Sequence, residues 1–130
     1  MNKKVISTVQ GPSAIGPYSQ AIHAGNLLFV SGQIPIDPAT GSLIEDSTIQ
    51  AQTRRVLQNL TAIVQAAGGT VQSIVRTTVF LKDMADFAEM NAVYASFFTS
   101  APPARSTVQA ARLPRDVSIE IDCIAVIDQV

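Results

Sequence analysis

Charge is scarce in this sequence. Asp, Glu, Lys and Arg make up 15% of its 130 residues, against roughly 25% in an average soluble domain. Apolar residues reach 47%, which excludes disorder, and a surface so thin in charge is expected to be covered in part by a partner. The three lysines and six arginines are scattered, and the formal net charge is −1. No basic block exists to neutralise a phosphate backbone, so nucleic acid is not an expected partner. One cysteine, Cys123, excludes a disulfide within the chain and leaves the redox compartment open. His23 is the only histidine, so no His/Cys cluster can build a zinc site, and no carboxylate spacing points to another metal. No run approaches the ~18 apolar residues of a membrane helix. The segment Met1–Ser7 lacks the apolar stretch of a signal peptide. A soluble, cytoplasmic protein is expected.

What is present is pattern. The length suits one domain and no linker or repeat divides it, so a single domain over residues 1–130 is expected. Residues 3–8 read as a short strand, and Gln10–Pro17, with its glycines and prolines, as a loop. Ser19–Ala24 and Leu27–Ser31 read as strands joined by the hairpin signal Gly25-Asn26. Pro35–Gly41 is expected to be irregular. Asp46 or Ser47 then caps a helix running to about Ala67, with Ile49, Val56, Leu60, Ile63, Val64 and Ala67 on one stripe and Gly68-Gly69 as its stop. Ser73–Lys82 reads as a strand. Asp86 caps a second helix that turns Phe87, Met90, Tyr94, Phe97 and Phe98 inward and closes at Ala101-Pro102-Pro103. Two strands finish the chain.

The order β-β-β-α-β-α-β-β puts both helices on one face of a mixed sheet. In the last strand, Val117, Ile119, Ile121, Cys123, Ala125 and Ile127 share the face that suits the helices. The other face carries Ser118, Glu120 and Asp122, then Ile124 and Val126. Apolar residues there need cover, so an oligomer is expected, with sheets packed together and polar positions lining clefts between subunits.

The candidate chemistry centres on Arg105, which opens an alternating run after Pro102-Pro103-Ala104. Arg105 and Thr107 share one strand face, while Ser106 and Val108 share the other. The short connection Arg112–Asp116 suits an antiparallel hairpin that would bring Arg105 near Glu120 or Asp122. Two readings stay open: a cross-strand ion pair, or a planar fork that receives the carboxylate of a small substrate. Tyr18 reads as a loop anchor or as a hydroxyl aimed at a cleft. At Ser31-Gly32-Gln33 the glycine either lets a ligand approach the backbone or simply ends a strand. Asn91 reads as a buried polar group that needs a partner. His23 reads as structural, and Cys123 as an inert buried thiol.

Six motifs then occur in order. They are Ile15-Gly16-Pro17-Tyr18-Ser19-Gln20-Ala21, Phe29-Val30-Ser31-Gly32-Gln33-Ile34-Pro35, Thr77-Thr78-Val79-Phe80-Leu81-Lys82-Asp83, Met90-Asn91-Ala92-Val93-Tyr94, Pro103-Ala104-Arg105-Ser106 and Ile119-Glu120-Ile121-Asp122. Together they resemble the RidA/YjgF/L-PSP family over essentially the whole chain. The resemblance implies a chorismate-mutase-like α+β fold, with a mixed six-stranded sheet and two helices packed on one face, and a homotrimer with clefts between subunits. It implies hydrolytic deamination, without cofactor or metal, of 2-aminoacrylate, 2-aminocrotonate and their imine tautomers to 2-keto acids and ammonia. Arg105 matches the residue that grips the substrate carboxylate, and Glu120 the one that orients water. Tyr18, Ser31, Gly32 and Asn91 match other residues that line the cleft and bind substrate. Thr107, also at a substrate-binding position, stands where several deaminases have cysteine; its hydroxyl can hydrogen-bond but cannot become a thiolate. Two competitors are a non-catalytic protein that binds small carboxylate metabolites in the same clefts and a nuclease. The near-neutral charge and single histidine argue against the nuclease.

Overall fold

The computed structural model describes residues 2–128, so Met1, Gln129 and Val130, at the ends of the expected domain, lie outside the described residues. Ten regular elements follow one another: β1 (Lys3–Ile6), β2 (Ala21–Ala24), β3 (Leu27–Gln33), β4 (Ile36–Asp37), β5 (Ser42–Leu43), α1 (Ile49–Ala66), β6 (Ile74–Leu81), α2 (Phe87–Phe97), β7 (Ala104–Gln109) and β8 (Ile119–Val126). Six of the strands form one mixed sheet in the order β1-β2-β3-β8-β6-β7. All its neighbours are antiparallel except β6 and β7, which run parallel.

Alternation decides which strand lies at the centre. In β8, Ile119, Ile121, Cys123 and Ala125 are buried and the residues between them half-buried. A strand with so little polar surface is satisfied only where neighbours flank both edges and helices cover one face. α1 lies across β8 and β3, and α2 packs on α1. The core gathers Val56, Leu57, Leu60, Ile63 and Val64 of α1 with Leu28, Val79, Ile119 and Ile121 of the sheet. Burying one such aliphatic side chain contributes about 1.5–3 kcal/mol.

The ends of α1 follow local chemistry. Thr48, one residue past the expected Ser47, is the cap; its hydroxyl accepts from the Ala51 amide at 3.2 Å. Asp46 instead accepts from the Thr48 amide at 3.0 Å. Gly68 takes φ +96° just beyond the helix, as a left-handed stop requires. Asp86 stands at the start of α2 but makes no side-chain capping bond; Asp83 accepts from the Ala85 amide at 2.9 Å in the 3-10 turn before it.

Two further expectations fail. Pro35–Gly41 is not wholly irregular, because β4 and β5 form a small hairpin through it, steadied by Asn59, whose Nδ2 donates to the Ile36 carbonyl at 2.9 Å. More consequentially, β7 and β8 are not a hairpin. β7 pairs with β6 in parallel and forms the sheet edge, whereas β8 inserts between β3 and β6. The polar β7 tolerates an edge, and the apolar β8 does not. The connection makes the crossing by burying Leu113 and then turning through Arg115 and Asp116, both left-handed at φ 55° and 57°.

Candidate functional site

Register assigns each candidate side chain to a face. Thr77 of β6 pairs with Cys123 of β8 on one side and with Arg105 of β7 on the other. Directly paired residues point the same way, so Arg105 shares the helix-covered face with Cys123. Val79 and Thr107 are paired on that face too. Glu120 pairs with Phe80 and lies on the opposite, open face. Arg105 therefore does not approach Glu120 or Asp122 within the chain: two strand spacings of ~4.8 Å and the sheet itself intervene. Among the described residues no carboxylate pairs with Arg105; the one salt bridge is Arg112–Asp116, on the surface.

The first recess lies beside α2, lined by Asn91, Tyr94, Ala95, Phe98, Pro102, Pro103 and Arg105. Asn91 has the partner it needs: its Oδ1 accepts from Arg105 Nη1 at 2.7 Å. The guanidinium carbon lies 4.7 Å from the centre of the Tyr94 ring and 5.5 Å from that of Phe87. Tyr94 is itself fixed by a 2.7 Å hydrogen bond between its hydroxyl and that of Thr77. Burial raises the Tyr94 phenol pKa, against the lowering pulls of the Thr77 bond and the Arg105 charge. Thr107 follows on the same face, its Oγ1 buried without a hydrogen-bond partner among the described residues.

The second recess, on the open face, is lined by Ile15, Tyr18, Ser31, Gly32, Ile34, Pro114 and Glu120. The Glu120 carboxylate lies over Gly32, and a Cβ there would force the carboxylate to shift. Burial, and after it the like charge of Asp122, raises the Glu120 pKa above the ordinary carboxylate value. The Ser31 hydroxyl donates to the Ser19 carbonyl at 2.6 Å. Tyr18 is both anchor and lining, since its hydroxyl accepts from the Ile15 amide at 3.3 Å while the residue stays exposed. Tyr18, Ser31, Gly32 and Glu120 are thus brought together, and Arg105, Asn91 and Thr107 lie on the other face.

Two contributors escape sequence reasoning. Gln20 is buried and holds the loop before Tyr18: its Nε2 donates to Pro12 and Thr8 carbonyls at 2.7 and 3.0 Å, and its Oε1 accepts from the Thr8 amide at 2.7 Å. Nothing in the local pattern marks it. Tyr94 does leave a signal, because Phe87, Asn91 and Tyr94 recur at i, i+4 and i+7, but an aromatic stripe reads first as core. Cys123 is buried, and burial pushes its thiol up to about 12. His23 Nε2 is buried without a hydrogen-bond partner among the described residues. Among the described residues no three His, Cys, Asp or Glu side chains gather to hold a metal ion. No helix there is long and apolar enough to cross a membrane.

Fold and recesses together define a class, a small α+β protein whose polar groups line open recesses on both faces of a half-covered sheet. Within that class the chain belongs to the RidA/YjgF/L-PSP family, whose model, described as Endoribonuclease L-PSP, matches residues 8–127. It is 55% identical over 123 residues to a RutC family protein of Pyrococcus horikoshii, covering 95% of this chain and 97% of the relative. It is 54% identical over 126 residues to the 2-iminobutanoate/2-iminopropanoate deaminase of Salmonella typhimurium, covering 95% and 97% respectively. Among solved structures, Escherichia coli TdcF with bound serine superposes with a TM-score of 0.91 at 48% identity, covering 96% of this chain and 99% of that one.

Proposed function

We propose that this protein is an enamine/imine deaminase that converts small 2-imino acids to 2-keto acids and ammonia in clefts between the subunits of a homotrimer. The observation that carries this is Arg105, a guanidinium in an open recess, held by an amide and an aromatic ring and unopposed by any carboxylate among the described residues. Such a fork matches a substrate carboxylate in bidentate fashion. The deaminase name of the Salmonella typhimurium relative supports the same chemistry.

The reaction needs little equipment. The enamine tautomerises to the imine, and the carboxylate rests on Arg105, which supplies orientation. Glu120, ionised, accepts a proton from water as the water oxygen bonds to the carbon of the imine, which is protonated on nitrogen. The resulting tetrahedral amino alcohol carries that oxygen as a hydroxyl. Glu120 returns that proton to the amine nitrogen and then takes the hydroxyl proton as the C–N bond breaks, so that ammonia leaves as the carbonyl forms. Tyr18, Ser31, Gly32, Asn91 and Thr107 line the cleft, and Thr107 contributes a hydrogen bond rather than a nucleophile.

The same geometry supports an assembly. The carboxylate and imine carbons of a 2-imino acid are bonded to each other, whereas Arg105 and Glu120 of one chain face opposite sides of the sheet. One substrate meets both only if one copy supplies the α2 recess and another the Glu120 recess. Contacts between unlike surfaces close into rings when the rotation between copies closes, and three copies is the number the family resemblance implies. Leu27, Phe29 and Val108, exposed on the open face, are natural members of the seam. A single domain at work in the cytoplasm completes this reading. The near-neutral charge argues against an RNA substrate, despite the endoribonuclease label of the family model.

The test couples a serine/threonine dehydratase, which releases 2-aminoacrylate or its four-carbon homologue, to measurement of keto-acid release. Acceleration by the protein is expected, and unaccelerated release would defeat the deaminase reading. Arg105→Ala should lose at least tenfold in kcat/KM, in line with about 2–5 kcal/mol for a desolvated charge pair. Arg105→Lys should also be impaired, because a point charge does not reproduce the fork. Full activity in Arg105→Ala would remove the assignment of that residue.

A further inference from the structure

The contacts around Arg105 form a closed circuit. Its backbone runs beside that of Thr77 in the parallel β6–β7 pair. The Thr77 hydroxyl, fully buried, meets the Tyr94 hydroxyl at 2.7 Å. The Tyr94 ring, 4.7 Å from the guanidinium carbon, returns the circuit to Arg105. Tyr94 is only 6% exposed, and its ring packs against that of Phe98 with centroids 4.6 Å apart and planes at 42°. The phenol is therefore held at its hydroxyl by the sheet and at its ring by the helix. Phe87, at 5.5 Å, supplies a second and more exposed ring.

Such a support suits a receptor for an anion. An arginine on an edge strand has several free torsions, and ~2 kcal/mol of rotamer entropy favours its wandering. A carboxylate partner would hold it, but would also neutralise it and occupy the donors that a substrate needs. An aromatic face attracts the cation while leaving its charge and its N–H groups available. We propose that Tyr94 is a positioning residue for substrate binding: its ring, locked by Thr77 and backed by Phe98, fixes the direction in which Arg105 presents its fork to the substrate carboxylate. This rests on Arg105 being the carboxylate receptor.

Steady-state kinetics of the full chain in the dehydratase-coupled assay test it. An interaction made equally with substrate and transition state changes KM rather than kcat, so Tyr94→Leu should raise KM about tenfold and leave kcat within about twofold. Tyr94→Phe keeps the ring and should recover most of that loss, although Thr77 then lacks its partner and thermal stability falls. Phe87→Leu alters an exposed ring that the core does not need, and should raise KM about two- to threefold. In an Arg105→Ala background, Tyr94→Leu should add nothing further, because the two residues act as one unit.

A parent-like KM in Tyr94→Leu would overturn the proposal, as would a Tyr94→Phe variant as impaired as Tyr94→Leu. A defect that multiplies that of Arg105→Ala would overturn it as well. If Tyr94→Leu does not fold, Phe87→Leu decides, and an unchanged KM there counts against it. Full activity in Arg105→Ala would instead remove the carboxylate reading itself, an outcome distinct from an impaired Arg105→Ala beside an unimpaired Tyr94→Leu.

Discussion

Glu120 is half-buried above Gly32, and the physics of that position sets two measurable properties. Its pKa is raised, first by burial and then by Asp122. A base must be ionised to accept a proton, so kcat/KM should fall with decreasing pH along a limb whose midpoint lies above the ordinary glutamate value of about 4.3. Asp122→Asn removes the like charge and should move that limb to lower pH; an unmoved limb would dissociate Asp122 from the titration. The sign for folding is the reverse of the usual salt-bridged carboxylate. The native state holds this proton more tightly than the unfolded state, so stability falls as pH rises from the ordinary glutamate range through the raised pKa. Glu120→Gln should therefore lose at least about 10²-fold in kcat and yet unfold at a higher temperature than the parent at neutral pH. That thermal advantage should disappear below the ordinary glutamate pKa, and melts across a pH series would measure it.

Elements differ in how openly the sequence announces them. The stripe of α1, the buried row Ile119–Ile121–Cys123–Ala125 and the Gly25-Asn26 hairpin were all legible, because each is a local period or a local turn. The partner of β7 was not. A short connection favours a hairpin, but the burial of β8 on its helix face and its need for neighbours at both edges outweigh proximity in sequence. Only non-local packing decides that contest. The face carrying Arg105 and Thr107 was readable by alternation, while the placement of Glu120 on the opposite face depends on how the strands pair. The displaced connection carries a cost of its own at Arg115 and Asp116, where side-chained residues adopt left-handed backbone. Such a conformation costs about 1–2 kcal/mol per residue, part of which glycine returns through its looser unfolded chain. Arg115→Gly should accordingly stabilise the fold by about 0.5–1 kcal/mol in denaturant titration, and a loss of stability would show that the Arg115 side chain contributes more than its backbone costs.

At the scale of the whole molecule, the proposed function puts complementary halves of one site on opposite faces, and activity then becomes a property of the assembly. Arg105→Ala and Glu120→Gln, each impaired alone, should recover activity when unfolded together and refolded. Random mixing leaves about a quarter of the clefts with both groups intact, if each cleft draws one group from each of two neighbours. No recovery in mixed oligomers would mean that both groups act from the same chain. The chain's one thiol, Cys123, gains meaning in the same setting. An imine carbon is an electrophile, and a thiolate is among the strongest nucleophiles a protein carries. Cys123 is buried beneath the helices with its pKa pushed up to about 12, and a threonine stands at 107. The sequence holds no other sulfhydryl group. Under the proposed function, a protein so built offers a reactive imine no thiolate to add to, turnover after turnover.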